Sequence, residues 1–213
     1  MKRTCFIFGL ATLAALWLGP LPGLTRQSFA AHMALHMGVV ALAAPLLAVG
    51  LAGGAFDPVR RRPAWWPAVP LSILELVVVW AWHAPALHHA ARELPGGLVA
   101  EQASFFLAGL LVWLASIGGG ADLARERGGA GIAALLLTAM HMTLLGALLA
   151  LAPRALYVHA HRDHGGTGLS ALEDQHLGGA IMLVVGGVSY LAGGLALTAR
   201  LVTRRRMHSE VRA

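Results

Sequence analysis

An all-α, polytopic transmembrane bundle of about six helices is the fold class the sequence predicts, and three observations predict it. Apolar residues make up 57% of the chain and charged residues only 12%, against about 25% charged in a soluble domain, and the mean hydropathy is +0.68. Six apolar stretches are each long enough, at about 20 residues and 1.5 Å rise, to cross a hydrocarbon core of about 30 Å. The connecting segments "DPVRRRPAWWP", "RELPGG" and "GGGADLARERGGAG" hold most of the charge and much of the Pro and Gly. Strands are not expected, because no run alternates with period two and an open sheet leaves its edges unsatisfied in lipid. The whole of 1–213 reads as one integral-membrane helical domain.

The first predicted span, near 4–22, begins "MKRTCFIFGLATLAALWLGPLPG". A charged start and a short apolar run are also the marks of a signal peptide, so 1–30 is read as a retained helix or a cleaved leader, "SFAAH" being the only candidate cleavage site. The second span, 30–52, opens with two His-Met pairs at His32, Met33, His36 and Met37. The third, 67–91, carries Glu75 deep within it and His83, His88 and His89 towards its end. The fourth, 98–118, has Glu101 and Gln102 at its mouth, and the fifth, 130–152, holds His141 between Met140 and Met142. The loop "YVHAHRDHGG" supplies His159, His161 and His164 before the sixth span, 176–201, which has Glu173 and Asp174 at its mouth and Met182 within. Gly179, Gly186 and Gly193 recur there at heptad spacing, a small-residue seam for close helix contact. Cys5 is the single cysteine, so neither a disulfide framework nor a CxxC motif is present.

Lys and Arg are retained on the cytoplasmic side of membrane proteins. Six crossings put twelve of them (Lys2, Arg3, Arg60, Arg61, Arg62, Arg125, Arg127, Arg200, Arg204, Arg205, Arg206, Arg212) on one face and four (Arg26, Arg92, Arg154, Arg162) on the other. Both termini are therefore expected in the cytoplasm. The pI of about 11 follows from this topology and from attraction to the anionic lipid bilayer; it does not call for nucleic acid.

On that topology ten of eleven histidines fall on the outer half or at mid-membrane, His208 alone being cytoplasmic. Counting 1.5 Å per helical residue, His36 lies about 10 Å below the outer end of its span, His83 about 12 Å, His141 about 16 Å and Met182 about 10 Å. His32 and His36, four residues apart, share one helix face. A lone intramembrane histidine is ordinarily an interhelical hydrogen-bond partner, and a lone methionine ordinarily fills a gap in packing. Several such groups at one depth mark a functional site instead. Imidazole with thioether is the donor set that suits copper, above all the cuprous ion, Cu(I). Carboxylates such as Asp174 and Glu101 serve either to orient ligand imidazoles or as ordinary helix caps.

The segments "FAAHMALHMGVVALAAPLLAVG", "WAWHAPALHHAA", "FFLAGLLVWL", "MHMTLLGALLALAPRALY" and "LEDQHLGGAIM" resemble, in this order, the CtaG family of integral-membrane cytochrome c oxidase assembly factors. The resemblance implies a multi-pass protein of the bacterial plasma (inner) membrane, with cytochrome c oxidase subunits as partners and copper handled on the outer face. It matches His32 and His36 to the family's paired histidines, His83 to that of "WHAP", His141 to that of the fifth helix, and Asp174, Gln175 and Met182 to positions in the last helix. Gln102 stands where relatives often carry histidine, and the N-terminal region is shorter than theirs. The expected metal site is thus His32, His36, His83, His141, Met182 and Asp174, in an assembly factor and not an enzyme. Two alternatives remain: a haem-binding electron carrier or oxidoreductase, since facing imidazoles also make an axial pair, and a copper transporter, which would need polar groups continuing inwards, Glu75 being the clear candidate.

Overall fold

The computed structural model describes residues 2–157 and 168–210, with side chains described except at 121, 122, 124, 125 and 204–210. Among the described residues all regular structure is helical. Helix α1 (Lys2–Leu18) leads through a short Leu21–Leu24 helix into α2 (Phe29–Leu51), whose middle, Gly38–Ala43, widens to a π turn. Next come α3 (Ala68–His83), α4 (Pro85–Glu93), α5 (Gly97–Ile117) and α6 (Gly120–Ala150). The last helix, α7, runs through Ala171–Ile181, a π turn at Met182–Gly186, and Gly187–Glu210. Five stretches, ending with Ala171–Thr203, are long and apolar enough to cross a membrane. The chain is a multi-pass membrane protein.

Helix α1 has 17 residues and packs along α2. Lys2 Nζ donates to Ala52 O at 2.6 Å, and side chains added at Gly9 and Gly50 would run into Leu47 and Phe6. Asp57 ties this end together, accepting from Gly53 N at 2.6 Å, Val59 N at 3.0 Å and Gly119 N at 2.7 Å. Arg127 at the same end donates to the carbonyls of Pro63 and Trp66, Arg62 lies over the Trp65 ring, and Leu201 of α7 meets Gly128. The start of α1 and the far end of α7 therefore share one face of the bundle. Helix α1, where the sequence predicts a sixth span, is not among the five stretches long and apolar enough to cross.

The third expected span differs in a way that matters. Ala84 precedes Pro85 and takes ψ of 129°, because the proline ring clashes with a helical residue before it. The helix stops at His83, and α4 starts afresh with His88 and Ala91 buried beneath it. The sixth span begins earlier than expected, at Ala171, where Ser170 and Glu173 form a reciprocal capping box. The glycine seam is present: Gly179 faces the backbone of Gly146 and Ala150, Gly186 faces Met37 and Met142, and Gly193 faces the Trp113 ring. Three glycines thus let α7 approach three different helices.

A buried histidine cluster

The site is built at the end of the bundle opposite the arginine-rich loops. Asp174 fixes its floor by clamping α7 to the start of α2: it accepts from Ser28 Oγ and Phe29 N, both at 2.6 Å, and from Ala30 N at 3.4 Å. The first N–H groups of a helix lack intrahelical partners, so a carboxylate there satisfies them and favours the helix dipole. One turn on is His32 and two turns on His36, both 0% exposed. Their rings lie nearly parallel, 12° apart, with centroids 6.4 Å apart.

His83 comes from the end of α3. Its Nδ1 is 2.6 Å from Val79 O and donates to it, leaving Nε2 as the unprotonated nitrogen of a neutral ring. Its own carbonyl accepts from Tyr157 OH at 2.6 Å. Its ring stands 5.5 Å from that of His36 and 6.0 Å from that of His32. Phe105 of α5 backs the cluster, 3.9 Å from His36, and the Phe29–Tyr157 stack at 4.2 Å covers it. His141, 2% exposed on α6, lies within electrostatic reach of His36.

The cluster is polar and unsatisfied. Both nitrogens of His36, both of His141, and Nε2 of His32 and His83 are buried without a hydrogen-bond partner. A buried polar group left so costs about 1–3 kcal/mol, a cost that helix-to-helix hydrogen bonding would have removed. A neutral imidazole offers one unprotonated nitrogen; those of His36, His83 and His141, held in an apolar shell, are suited to a cation instead.

A second group adjoins the first. Arg92 Nη1 donates to Glu101 Oε2 at 2.8 Å, and Arg92 Nη2 donates to His32 Nδ1 at 2.6 Å. His88 of α4 has its ring 5.1 Å from that of His32. Single ligand atoms from His32, His88 and Glu101 all lie within 4.8 Å of one another.

Residues 1–204 match the cytochrome c oxidase caa3 assembly factor family, Caa3_CtaG. The chain belongs to this family. No curated protein and no solved structure matches it. Within this Caa3_CtaG chain, Gln102 is buried with Nε2 3.5 Å from His32 Nδ1, so the position where the resemblance puts a histidine does open on the cluster.

Of the residues expected to bind metal, the structure brings His32, His36 and His83 together, with His141 close by. Asp174 is at the site's edge, both oxygens engaged by the end of α2. Met182 is fully buried; Gly178, one turn before it, faces Phe29 and Met33, and Gly186, one turn after, faces Met37. Met182 thus lies on α7 between two positions that face α2. Met140 is 59% exposed and points away from the core. His176 bonds Ala152 O at 2.9 Å and stands apart. His159, His161 and His164 lie outside the described residues. Sequence reasoning missed Arg92 and the joining of His88 to Glu101. The signal was the spacing of His88 and Arg92, four residues apart behind Pro85, which puts both on one face of a new helix.

Deeper in the bundle, Glu75 accepts from Tyr190 OH at 2.5 Å and Thr138 Oγ1 at 3.1 Å, and Thr138 bonds Ser72 at 2.8 Å. The carboxyl meets hydroxyls, not the arginines of the second loop. The π turn of α2 supplies further acceptors, since Ser189 Oγ donates to the Ala41 carbonyl at 2.7 Å; π turns free carbonyls in this way at functional sites.

Proposed function

We propose that this chain binds copper in its buried histidine cluster at the outer face of the bacterial plasma membrane and hands it to cytochrome c oxidase subunits during assembly. It acts as a metallochaperone and not as an enzyme. The observation that carries this reading is the grouping of the His32, His36 and His83 rings, 5.5–6.4 Å apart, with buried ring nitrogens of these three and of His141 lacking hydrogen-bond partners. Imidazole with the Met182 thioether suits Cu(I). Asp174 enters as the clamp that holds α2, since its oxygens already serve three donors. The arginine-rich end faces the cytoplasm by the charge rule, which turns the cluster outwards. Haem is the poorer cargo, because Phe105 packs 3.9 Å from His36 and 5.8 Å from His83 and fills the gap a macrocycle would need.

The test is replacement of each of the four histidines by Ala, with His208→Ala as a control at the opposite end. Bound copper and oxidase maturation should fall while membrane abundance stays near normal. Interhelical hydrogen bonding would instead give about 0.6 kcal/mol of lost stability per contact and unchanged metal. Unchanged copper in all four variants would sink the reading. The Glu75–Thr138–Ser72 hydroxyl chain favours a second reading, copper transport. Copper uptake into proteoliposomes that Glu75→Gln abolishes would establish it over handover.

A further inference from the structure

The Arg92 guanidinium sits on the very atoms a metal ion would use. It bridges Glu101 Oε2 and His32 Nδ1 at 2.8 and 2.6 Å, and those two atoms are 3.5 Å apart. Ligand atoms around a tetrahedral ion with bonds of about 2.1 Å stand about 3.4 Å apart. One edge of a coordination polyhedron is thus already set. The guanidinium also fixes the chemistry of its acceptor: a nitrogen that accepts from Arg carries no proton, so the His32 lone pair is held at Nδ1, the edge nearest Glu101. Glu101 is 0% exposed, and a buried carboxylate without a cation is strongly destabilising. The Arg92 side chain, 11% exposed, supplies that cation from the rim.

We propose that His32, His88 and Glu101 form a loading station for a first-row transition-metal cation, and that Arg92 is a tethered cation which the incoming ion displaces. Two imidazole nitrogens and one carboxylate oxygen are a borderline donor set suited to Cu2+ or Zn2+, and the ion binds there with no change of oxidation state. The exchange keeps Glu101 paired throughout, because the ion arrives as the guanidinium leaves. His32 adjoins both groups, its Nδ1 lone pair turned to Glu101, its ring 5.1 Å from that of His88 and 6.0 Å from that of His83. The proposal deepens the copper reading and rests on it only for the identity of the ion.

The experiment uses the purified full-length chain, stripped of metal and titrated separately with Cu2+ and Zn2+ against a competing chelator. Arg92→Gln should bind at least tenfold tighter than the wild type, about 1.4 kcal/mol. Arg92→Lys, which keeps a tethered cation, should stay close to the wild type, and adding Glu101→Gln to Arg92→Gln should abolish the gain. In the wild type, saturation with Zn2+ should raise phenylglyoxal modification at Arg92, read by peptide mass mapping. That second measurement decides the matter if Arg92→Gln fails to accumulate. Equal affinity of wild type and Arg92→Gln at normal abundance, or equal Arg92 reactivity with and without the ion, overturns the proposal. Copper retained through His36 and His83 with no Arg92 effect overturns the station alone. Zn2+ tightening with copper bound by no variant supports the station and sinks the copper reading.

Discussion

Replacing Asp174 by Ala separates a helix clamp from a metal ligand. The substitution removes the acceptor of two hydrogen bonds at 2.6 Å, from Ser28 Oγ and Phe29 N, and of a longer one at 3.4 Å from Ala30 N. Hydrogen bonds to a charged group contribute about 1.5–3 kcal/mol each. The two short bonds at the lower end of that range come to about 3 kcal/mol, with Ser28 still capping α2 through Ala31 N. In a chain of this size 1 kcal/mol moves Tm by about 2–4 °C, so a fall of roughly 6–12 °C is expected. Release of the α2 start should also loosen His32, about 6 Å along the helix, more than His36, about 12 Å along. Copper affinity should therefore weaken in step with stability. His36→Ala should show the opposite pattern, copper lost and Tm held. The assays are thermal unfolding in detergent and copper titration of both variants side by side. Asp174→Ala with unchanged Tm and abolished copper binding would refute the clamp and restore Asp174 as a ligand.

Two further outcomes test the frame around the site. Reporter fusions after Arg62, Arg127 and Arg206 should report cytoplasm, and fusions within 93–97 and 160–168 the outside; swapped signals would put the cluster on the wrong face. Gly179→Leu should cut membrane abundance severely, because even a Cβ there falls 2.8 Å from Gly146 O and 2.9 Å from Ala150 Cα, whereas Gly129→Ala, with nothing within 4 Å, should leave abundance unchanged or raised. Equal abundance of the two variants would show that the seam is not a packing contact.

The parts of the fold legible in the sequence are those set by local physics. Apolar length located five of the spans, the glycine spacing located the α7 seam, and the 3.6-residue period put His32 and His36 on one face. Pro85 was equally legible as the point where α3 must end, but reading through it kept His88 on the wrong helix and hid its approach to His32. What no local pattern carries is which helix lies beside which. Asp174 is 145 residues from Phe29, and its flanking residues look the same whether it caps a distant helix or binds an ion. Arg92 shows how the structure changes even a simple count. The sequence places it among four basic residues opposing twelve, a partial exception to the charge rule. Its guanidinium is bound to buried Glu101, so it serves a contact within the bundle. The basic residues left at the histidine-rich end are Arg26 and Arg154, both exposed, with Arg162 outside the described residues. The same ion pair sets a guanidinium beside His32, 2.6 Å from its Nδ1.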